Sequence, residues 1–305
     1  MKPMLLLLAL IVATQAACNQ PVRQHDFASA EEAVQALVSA AGSPYPRALL
    51  EVLGKKAEPL LSSGDPVQDR NSRERFLQAY TRAHALVADG DGVTILEVGT
   101  DRWPFPFPIV QRSGRWRFDS AAGAAEIVNR RIGANELATI QSCLAFVDAE
   151  REYYLRNPER DPLQHYAQKL VSTEGAKDGL YWPDAGNETP SPLGEEFARA
   201  RSEGYFEDNA SKLAPYHGYI YRLLLAQGPN AAGGAYQYMV GNKMLGGFAL
   251  IAFPAEYGNS GIVTFIINHE GVVYSKDLGA DTAAAVRAIE WYDPDRTWQR
   301  ETAID

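Results

Sequence analysis

The chain has 305 residues, a formal net charge of −9 and 46% hydrophobic residues. An acidic chain of this kind excludes the broad basic surface of proteins that bind nucleic acid or adsorb to anionic membranes. The hydrophobic content, with 15 tyrosines, is typical of a folded globular protein. Because the length exceeds what one hydrophobic core usually serves, we predict two domains.

The first residues have the pattern of an export signal. Lys2 precedes an apolar run from Met4 to Ala13, and small residues then lead to Cys18. The run is about half as long as the roughly 20 apolar residues that a membrane-spanning helix needs. We therefore predict a signal peptide over residues 1–17.

Cys18 decides how the exported chain is held. Small residues directly before a cysteine resemble the bacterial lipobox, in which that cysteine becomes the acylated first residue, although Gln15 stands where the lipobox prefers Leu. We predict lipidation of Cys18, a periplasmic protein anchored to the membrane through this lipid only, and a tether over residues 18–26. The alternative is cleavage after Ala16 or Ala17, which leaves a soluble periplasmic or secreted protein.

Helices are predicted first along the mature chain. Ser29 and Glu32 form the spacing of a capping box before an amphipathic helix that Gly42 ends. Two further helices are predicted in PRALLEVLGKKAEPLL and SRERFLQAYTRAHALV, and strands in VTILEVG and in FPIVQRSGRWRFDS, where Ser113-Gly114 supplies a turn.

Three helices followed by a hairpin that ends in Gly-x-Trp-x-Phe-Asp resemble the cystatin-like cone of nuclear-transport-factor-like and SnoaL-like domains. We assign residues 27–122 to such an α+β domain. The resemblance implies a curved sheet that wraps a helix and leaves a pocket, which some members use for catalysis and many for binding or assembly. No motif identifies the catalytic acids or histidine of the enzymatic members. His84 has a helical position here, which favours packing over catalysis.

The second domain is predicted to span residues 123–305. After a joint of small residues, Ala121–Ala125, a long helix is expected from Asn135 as its cap to just before Pro158, with Cys143 as a buried packing thiol. Four strands follow, in HGYIYRLLLAQ, GGFALIAFP, GIVTFIINHE and GVVYSKDLG, then a short helix from Thr282 to Ile289. A long helix packed on an antiparallel four-strand meander is similar to the globular part of type IV pilin-like proteins, but the hydrophobic helix that polymerises pilins is missing.

A more specific resemblance covers most of the mature chain. The segments DGLYWP, YHGYIYRLL, AQGPNAAGGAYQYMV and KMLGGFALIAFPAEYGNSGIVTFIINHEGVVYSKDLG, with the preceding RRIGANELATIQSCLAFVDAEREYY, resemble the bacterial exported proteins grouped as domain of unknown function 2950. The resemblance implies a secreted or envelope protein and supplies no catalytic residues.

Ser260 and His269 are the nearest approach to a hydrolytic pair. The apolar run Ile262–Ile267 between them reads as one buried strand, which spans about 20 Å and places the two side chains at opposite ends of a sheet. His217 and His269 lack the spacing of a metal motif. We therefore predict no catalytic residues, no metal site and no cofactor.

Aromatic residues are the candidate contacts for a ligand or a partner, although half or more of them are expected in the core. The candidates are Tyr181, Trp182, Tyr216, His217, Tyr219, Tyr236 and, after the Gly241-Asn242 turn, Lys243.

The sequence favours an exported, lipid-anchored envelope protein with a non-catalytic binding or assembly role. Its partner would be an envelope protein or a small ligand, and not a nucleic acid. The alternative is a hydrolase or small-molecule-converting enzyme that uses a pocket in the N-terminal cone or at the domain junction. A buried constellation of acids or a histidine with a shifted pKa would favour the enzyme.

Overall fold

A computed structural model describes residues 22–43, 45–58, 66–183, 190–193 and 215–302. The predicted signal peptide, Cys18 and the first residues of the predicted tether lie outside these ranges. Helices and antiparallel sheets are both present, so the α+β prediction is confirmed. By its internal contacts the chain divides into two compact units, Met1–Ile127 and Val128–Asp305. In the described ranges, no helix combines the length and the apolar composition needed to cross a membrane.

The first unit contains helices α1 (Ala30–Ala41), α2 (Pro46–Leu53) and α3 (Pro66–Arg82). Helix α1 begins with the predicted cap, since Ser29 Oγ accepts the N–H of Glu32 at 3.1 Å and Glu32 Oε2 accepts the N–H of Ala28 at 2.6 Å. Helix α2 ends earlier than predicted because Gly54 has a φ of 91°, outside the helical region. One turn of 3₁₀ helix, Lys55–Ala57, follows it.

The sheet of the first unit contains β1 (His84–Ala88), β2 (Val93–Val98), β3 (Trp103–Pro104), β4 (Ile109–Arg112) and β5 (Arg115–Phe118). Its order is β1-β2-β4-β5, with β3 also paired to β2. The predicted hairpin is confirmed, because β4 and β5 pair antiparallel around Ser113 and Gly114, whose φ values of 52° and 77° suit a tight hairpin turn.

The helical position predicted for His84 is wrong. Helix α3 ends at Arg82, and His84 is the first residue of β1, where it pairs with Val98. The short apolar run that follows His84 suits either a helix or a strand, and the ladder with β2 decides between them. The His84 ring stacks on Tyr80 with the centroids 3.9 Å apart, so it packs at the edge of the core.

Helix α4 (Ser120–Arg156) is longer than predicted. It begins at Ser120 because Asp119 Oδ1 accepts the N–H groups of Ala121 and Ala122, each at 3.0 Å, and because alanine has the highest helix propensity. The residues expected to form a joint, Ala121–Ala125, are its first turns. Asn135 is not a cap, and instead donates from Nδ2 to the carbonyl of Ser260 at 2.8 Å.

The second unit is built on strands after α4. These are β6 (Tyr219–Leu224), β7 (Ala226–Gln227), β8 (Tyr236–Gln237), β9 (Met239–Val240), β10 (Lys243–Met244), β11 (Ala249–Pro254), β12 (Val263–Asn268), β13 (Tyr274–Asp277) and β14 (Gln299–Arg300). The predicted antiparallel meander is confirmed as β6-β11-β12-β13, and β14 extends it beside β13. The last helix, α5, covers Thr282–Arg287.

The core of the second unit contains one face of α4 and the central strands. Cys143, Phe146 and Val147 of α4 belong to the same buried cluster as Leu250 and Ile266 of the sheet. Burial raises the pKa of the Cys143 thiol to about 12, so the side chain is a protonated packing group, as predicted.

Candidate functional site

A basic cleft lies in the first unit, at the end of the β4–β5 hairpin. Its volume is about 290 Å³, near the lower end for a small-molecule site. The lining residues come from the segment before α1, the 3₁₀ turn after α2, the hairpin and the start of α4: Gln24, Lys55, Lys56, Val110, Arg112, Arg117, Phe118, Asp119, Ser120 and Ala121. All of them lie in the first unit.

Gly54 allows the segments that line the cleft to approach one another. A Cβ at this position would lie 2.0 Å from Ser120 Oγ and 2.9 Å from Gln24 Oε1. The Ser120 hydroxyl donates to the carbonyl of Leu53, the last residue of α2. Gln24 Nε2 donates to the carbonyls of Val52 at 3.1 Å and Phe118 at 2.7 Å. These bonds fix the floor of the cleft without using a charged group.

Positive charge dominates the lining, which has four basic side chains and one carboxylate. Arg112 pairs with Asp119 at 3.2 Å, and Arg117 pairs with Asp26 at 2.5 Å. Lys55 and Lys56 are exposed and have no ion-pair partner within the described ranges. The cleft therefore offers two ammonium groups that have no ion-pair partner among the described residues, beside two guanidinium groups that each pair with a carboxylate.

The chemistry of this lining suits anion binding better than acid–base catalysis. Its single carboxylate, Asp119, already caps α4 through Oδ1 and pairs with Arg112 through Oδ2. The lining contains no histidine, and its Ser120 hydroxyl donates to a backbone carbonyl. A nucleophile with an adjacent base is thus absent from the residues that line the cleft.

Most of the aromatic candidates lie in the core of the second unit. Tyr181, Trp182, Tyr216 and Tyr219 are between 0 and 7% exposed, and the Tyr219 hydroxyl donates to the carbonyl of Val263 at 2.9 Å. Their burial leaves little side-chain surface for a ligand or partner. His217 is partly buried in a left-handed conformation with φ 50°, against the Tyr216 ring.

Tyr236 and Lys243 remain accessible, at two different places. Tyr236 is 37% exposed, and its hydroxyl lies 3.4 Å from His269 Nε2. Lys243 pairs with Asp161. The structure therefore does not bring the seven predicted contact residues together in one patch.

Ser260 and His269 lie beyond opposite ends of β12, as predicted. Ser260 Oγ accepts the N–H of Glu256 at 2.9 Å and so closes a turn. His269 packs edge-on against Tyr238 and Phe248, and burial is the main cause that lowers its pKa. His269 therefore packs among aromatic rings at the opposite end of β12 from Ser260, and the two side chains do not form a nucleophile–base pair.

The glycine-rich loop before Tyr236 is held by hydrogen bonds. Gln227 Nε2 donates to the carbonyls of Ala232 at 2.6 Å and Gly234 at 2.8 Å, and Gln227 Oε1 accepts from the Tyr238 hydroxyl at 2.9 Å. The buried amide of Gln227 therefore gives the loop a defined conformation.

One group of side chains could hold a metal ion, although the sequence predicted none. Within the described ranges, Glu159, Asp161 and His165 each offer a ligand atom, and these atoms lie within 4.8 Å of one another. A local sequence pattern could have revealed this group, because three potential metal ligands occur within seven residues just after the end of a helix.

Comparisons with known proteins place the chain in a family. No curated protein and no solved structure matched it. The sequence profile of the family described as "Protein of unknown function (DUF2950)" matches residues 24–301, which is most of the chain. The chain therefore belongs to this family, as the resemblance over most of the mature chain predicted.

Proposed function

We propose that the protein is an exported lipoprotein of the bacterial envelope that binds a small phosphate-bearing ligand in the basic cleft without transforming it. The observation that carries this proposal is the pair of exposed lysines, Lys55 and Lys56, beside Arg112 and Arg117 in one cleft. Guanidinium groups match the geometry of phosphate oxygens, and lysines supply further positive charge.

The position of the cleft along the chain fits a ligand at the membrane surface. Gln24, which lines the cleft, follows Cys18 by six residues. A fully extended chain of that length reaches on the order of 20 Å. A lipid on Cys18 would thus hold the cleft close to the phosphate groups of the bilayer.

Replacing both lysines should weaken binding of a phosphate probe. We expect Lys55→Gln with Lys56→Gln to lower the affinity for glycerol 3-phosphate at least about tenfold, because each charge-assisted hydrogen bond contributes about 1.5–3 kcal/mol. Isothermal titration calorimetry at low salt measures the change. Recovery of the ligand unchanged, followed by phosphorus NMR, separates binding from the enzymatic alternative.

The matched control removes the same charge elsewhere. Arg70 and Arg82 of α3 are exposed and lie outside the lining of the cleft, so Arg70→Gln with Arg82→Gln should change the affinity less than about twofold. Equal losses in the two double variants, or no binding by the unaltered protein, would contradict the proposed site.

Cys18→Ser tests the anchor separately. Without acyl chains, which contribute about 0.8 kcal/mol per buried methylene, this variant should move from the membrane fraction to the soluble periplasmic fraction. Cell fractionation and mass spectrometry of the N-terminal peptide give the result. An unacylated Cys18 in the unaltered protein would remove the lipoprotein part of the proposal and leave the cleft to be judged by its own test.

A further inference from the structure

We propose that Glu159, Asp161 and His165 form a binding site for a divalent transition-metal ion such as Zn²⁺. The three residues lie in the turn after α4, in the second unit, and their ligand atoms converge within 4.8 Å. One imidazole nitrogen and two carboxylate oxygens are ligands that Zn²⁺ uses in sites where water completes the coordination.

The imidazole of His165 is oriented for coordination. Its Nδ1 lies 3.0 Å from the carbonyl oxygen of Tyr166, which can only accept, so Nδ1 carries the proton and the lone pair of the neutral ring is on Nε2. Nε2 lies 3.6 Å from Glu159 Oε2, beyond hydrogen-bond distance, and has no hydrogen-bond partner in the described part of the chain. The side chain is 7% exposed. A nearly buried lone pair that faces a carboxylate oxygen calls for a cation between them.

Each of the two carboxylates uses one oxygen in a hydrogen bond within the protein and leaves the other oxygen for a metal ion. Asp161 Oδ1 accepts the N–H of Leu163 at 2.9 Å, which leaves Oδ2 for a cation. Glu159 Oε1 lies 3.2 Å from the Tyr153 hydroxyl, whose single proton is shared with the carbonyl of Lys177 at 2.8 Å. In metal sites, hydrogen bonds to the atoms of a ligand side chain that do not bind the metal orient that side chain.

The turn itself is braced from outside the site. Asn157 Nδ2 donates to the Asp161 carbonyl at 2.8 Å, and Asn157 Oδ1 accepts the Asp161 N–H at 3.0 Å. Asn157 adopts the left-handed conformation, with φ 46°, which asparagine tolerates better than most residues. The ligand-bearing turn therefore has a fixed shape before any ion binds.

The ammonium group of Lys243 would compete with a metal ion for this site. Its ammonium group contacts Asp161 Oδ2, the oxygen that a metal ion would use. The Lys243 side chain is 22% exposed, so it can swing toward water when an ion arrives. Binding should therefore exchange one cation for another at Asp161, and removal of Lys243 should strengthen it.

Titration with Zn²⁺ tests the site in the full chain carrying Cys18→Ser, which removes the Cys18 thiol as a ligand. A competing chromophoric chelator reports the affinity, and Co²⁺ reports the ligand set by its visible spectrum. We expect His165→Ala to lose at least about 30-fold in affinity and Lys243→Gln to gain about tenfold. His84→Ala, which removes a histidine outside the site, should change the affinity less than about twofold.

His165 is nearly buried, so His165→Ala could fail to fold. Glu159→Gln is the second test, because Glu159 is partly exposed and glutamine keeps the shape of its side chain. A loss of about tenfold or more with this variant supports the site. Equal affinities in the unaltered protein and Glu159→Gln, no gain with Lys243→Gln, or a Zn²⁺ affinity weaker than about 1 mM would each overturn it.

Discussion

Gly54→Ala is expected to lower the free energy of unfolding by about 2–4 kcal/mol and to abolish the basic cleft. A φ of 91° is costly for alanine, and the new Cβ would lie 2.0 Å from Ser120 Oγ. To make room, Ser120 and Gln24 must leave the carbonyls of Leu53, Val52 and Phe118. The variant should therefore lose both stability and binding of glycerol 3-phosphate, as urea unfolding and calorimetry would measure.

Two other glycines separate the causes of this effect. Gly90 has a similar φ of 94° with nothing within 4 Å of an added Cβ, so Gly90→Ala measures the backbone cost alone. Gly133, inside α4, also has open space, and Gly133→Ala should stabilise the protein by about 0.5–1 kcal/mol. If Gly54→Ala cost no more than Gly90→Ala, the close approach at the floor of the cleft would be wrong.

Local sequence patterns predicted the elements that local interactions determine. The Ser29–Glu32 cap, the Ser113-Gly114 hairpin and the four-strand meander follow from capping chemistry, turn chemistry and alternation, each read over a few residues. The His84 strand and the start of α4 were missed for a shared reason. In both places the local pattern allowed two outcomes, and pairing with β2 or capping by Asp119 decided between them.

The two candidate sites differ in how far the sequence could reveal them. The cleft combines residues 24, 55–56, 110–112 and 117–121, and no local pattern links a lysine pair to a distant hairpin. Only the tertiary fold brings these charges together. Glu159, Asp161 and His165 instead lie within seven consecutive residues, and their spacing alone could have suggested a metal site. Most of the aromatic candidates lie in the core, because tyrosine is as suited to the core as to a binding surface.

Glu150→Gln is expected to make the protein more stable at neutral pH, by an amount that grows as the pH rises. Glu150 is fully buried in α4, and burial raises its pKa well above the ordinary value although Oε2 accepts the N–H of Ala167 at 2.8 Å. Its Oε1 has no hydrogen-bond partner among the residues that the structure describes. Because burial outweighs the hydrogen bond from Ala167, the folded state holds a proton on Glu150 over a pH range in which the unfolded chain has released it.

The sign of the pH dependence follows from that difference in proton binding. A carboxyl whose pKa is raised on folding contributes its full stability below the unfolded pKa, near 4.5, and loses it as the pH rises toward the folded pKa. Each pH unit in that window removes about 1.4 kcal/mol from the unaltered protein, whereas glutamine has no proton to release. Urea unfolding of both proteins between pH 4 and pH 8 should therefore give a difference that is smallest at pH 4 and widens as the pH rises toward the folded pKa. Asp148→Asn, at an exposed carboxylate of the same helix, should change stability by less than about 0.5 kcal/mol at every pH. A constant difference between Glu150→Gln and the unaltered protein across this range would mean that Glu150 is ionised inside the fold, held by a positive charge in place of a proton.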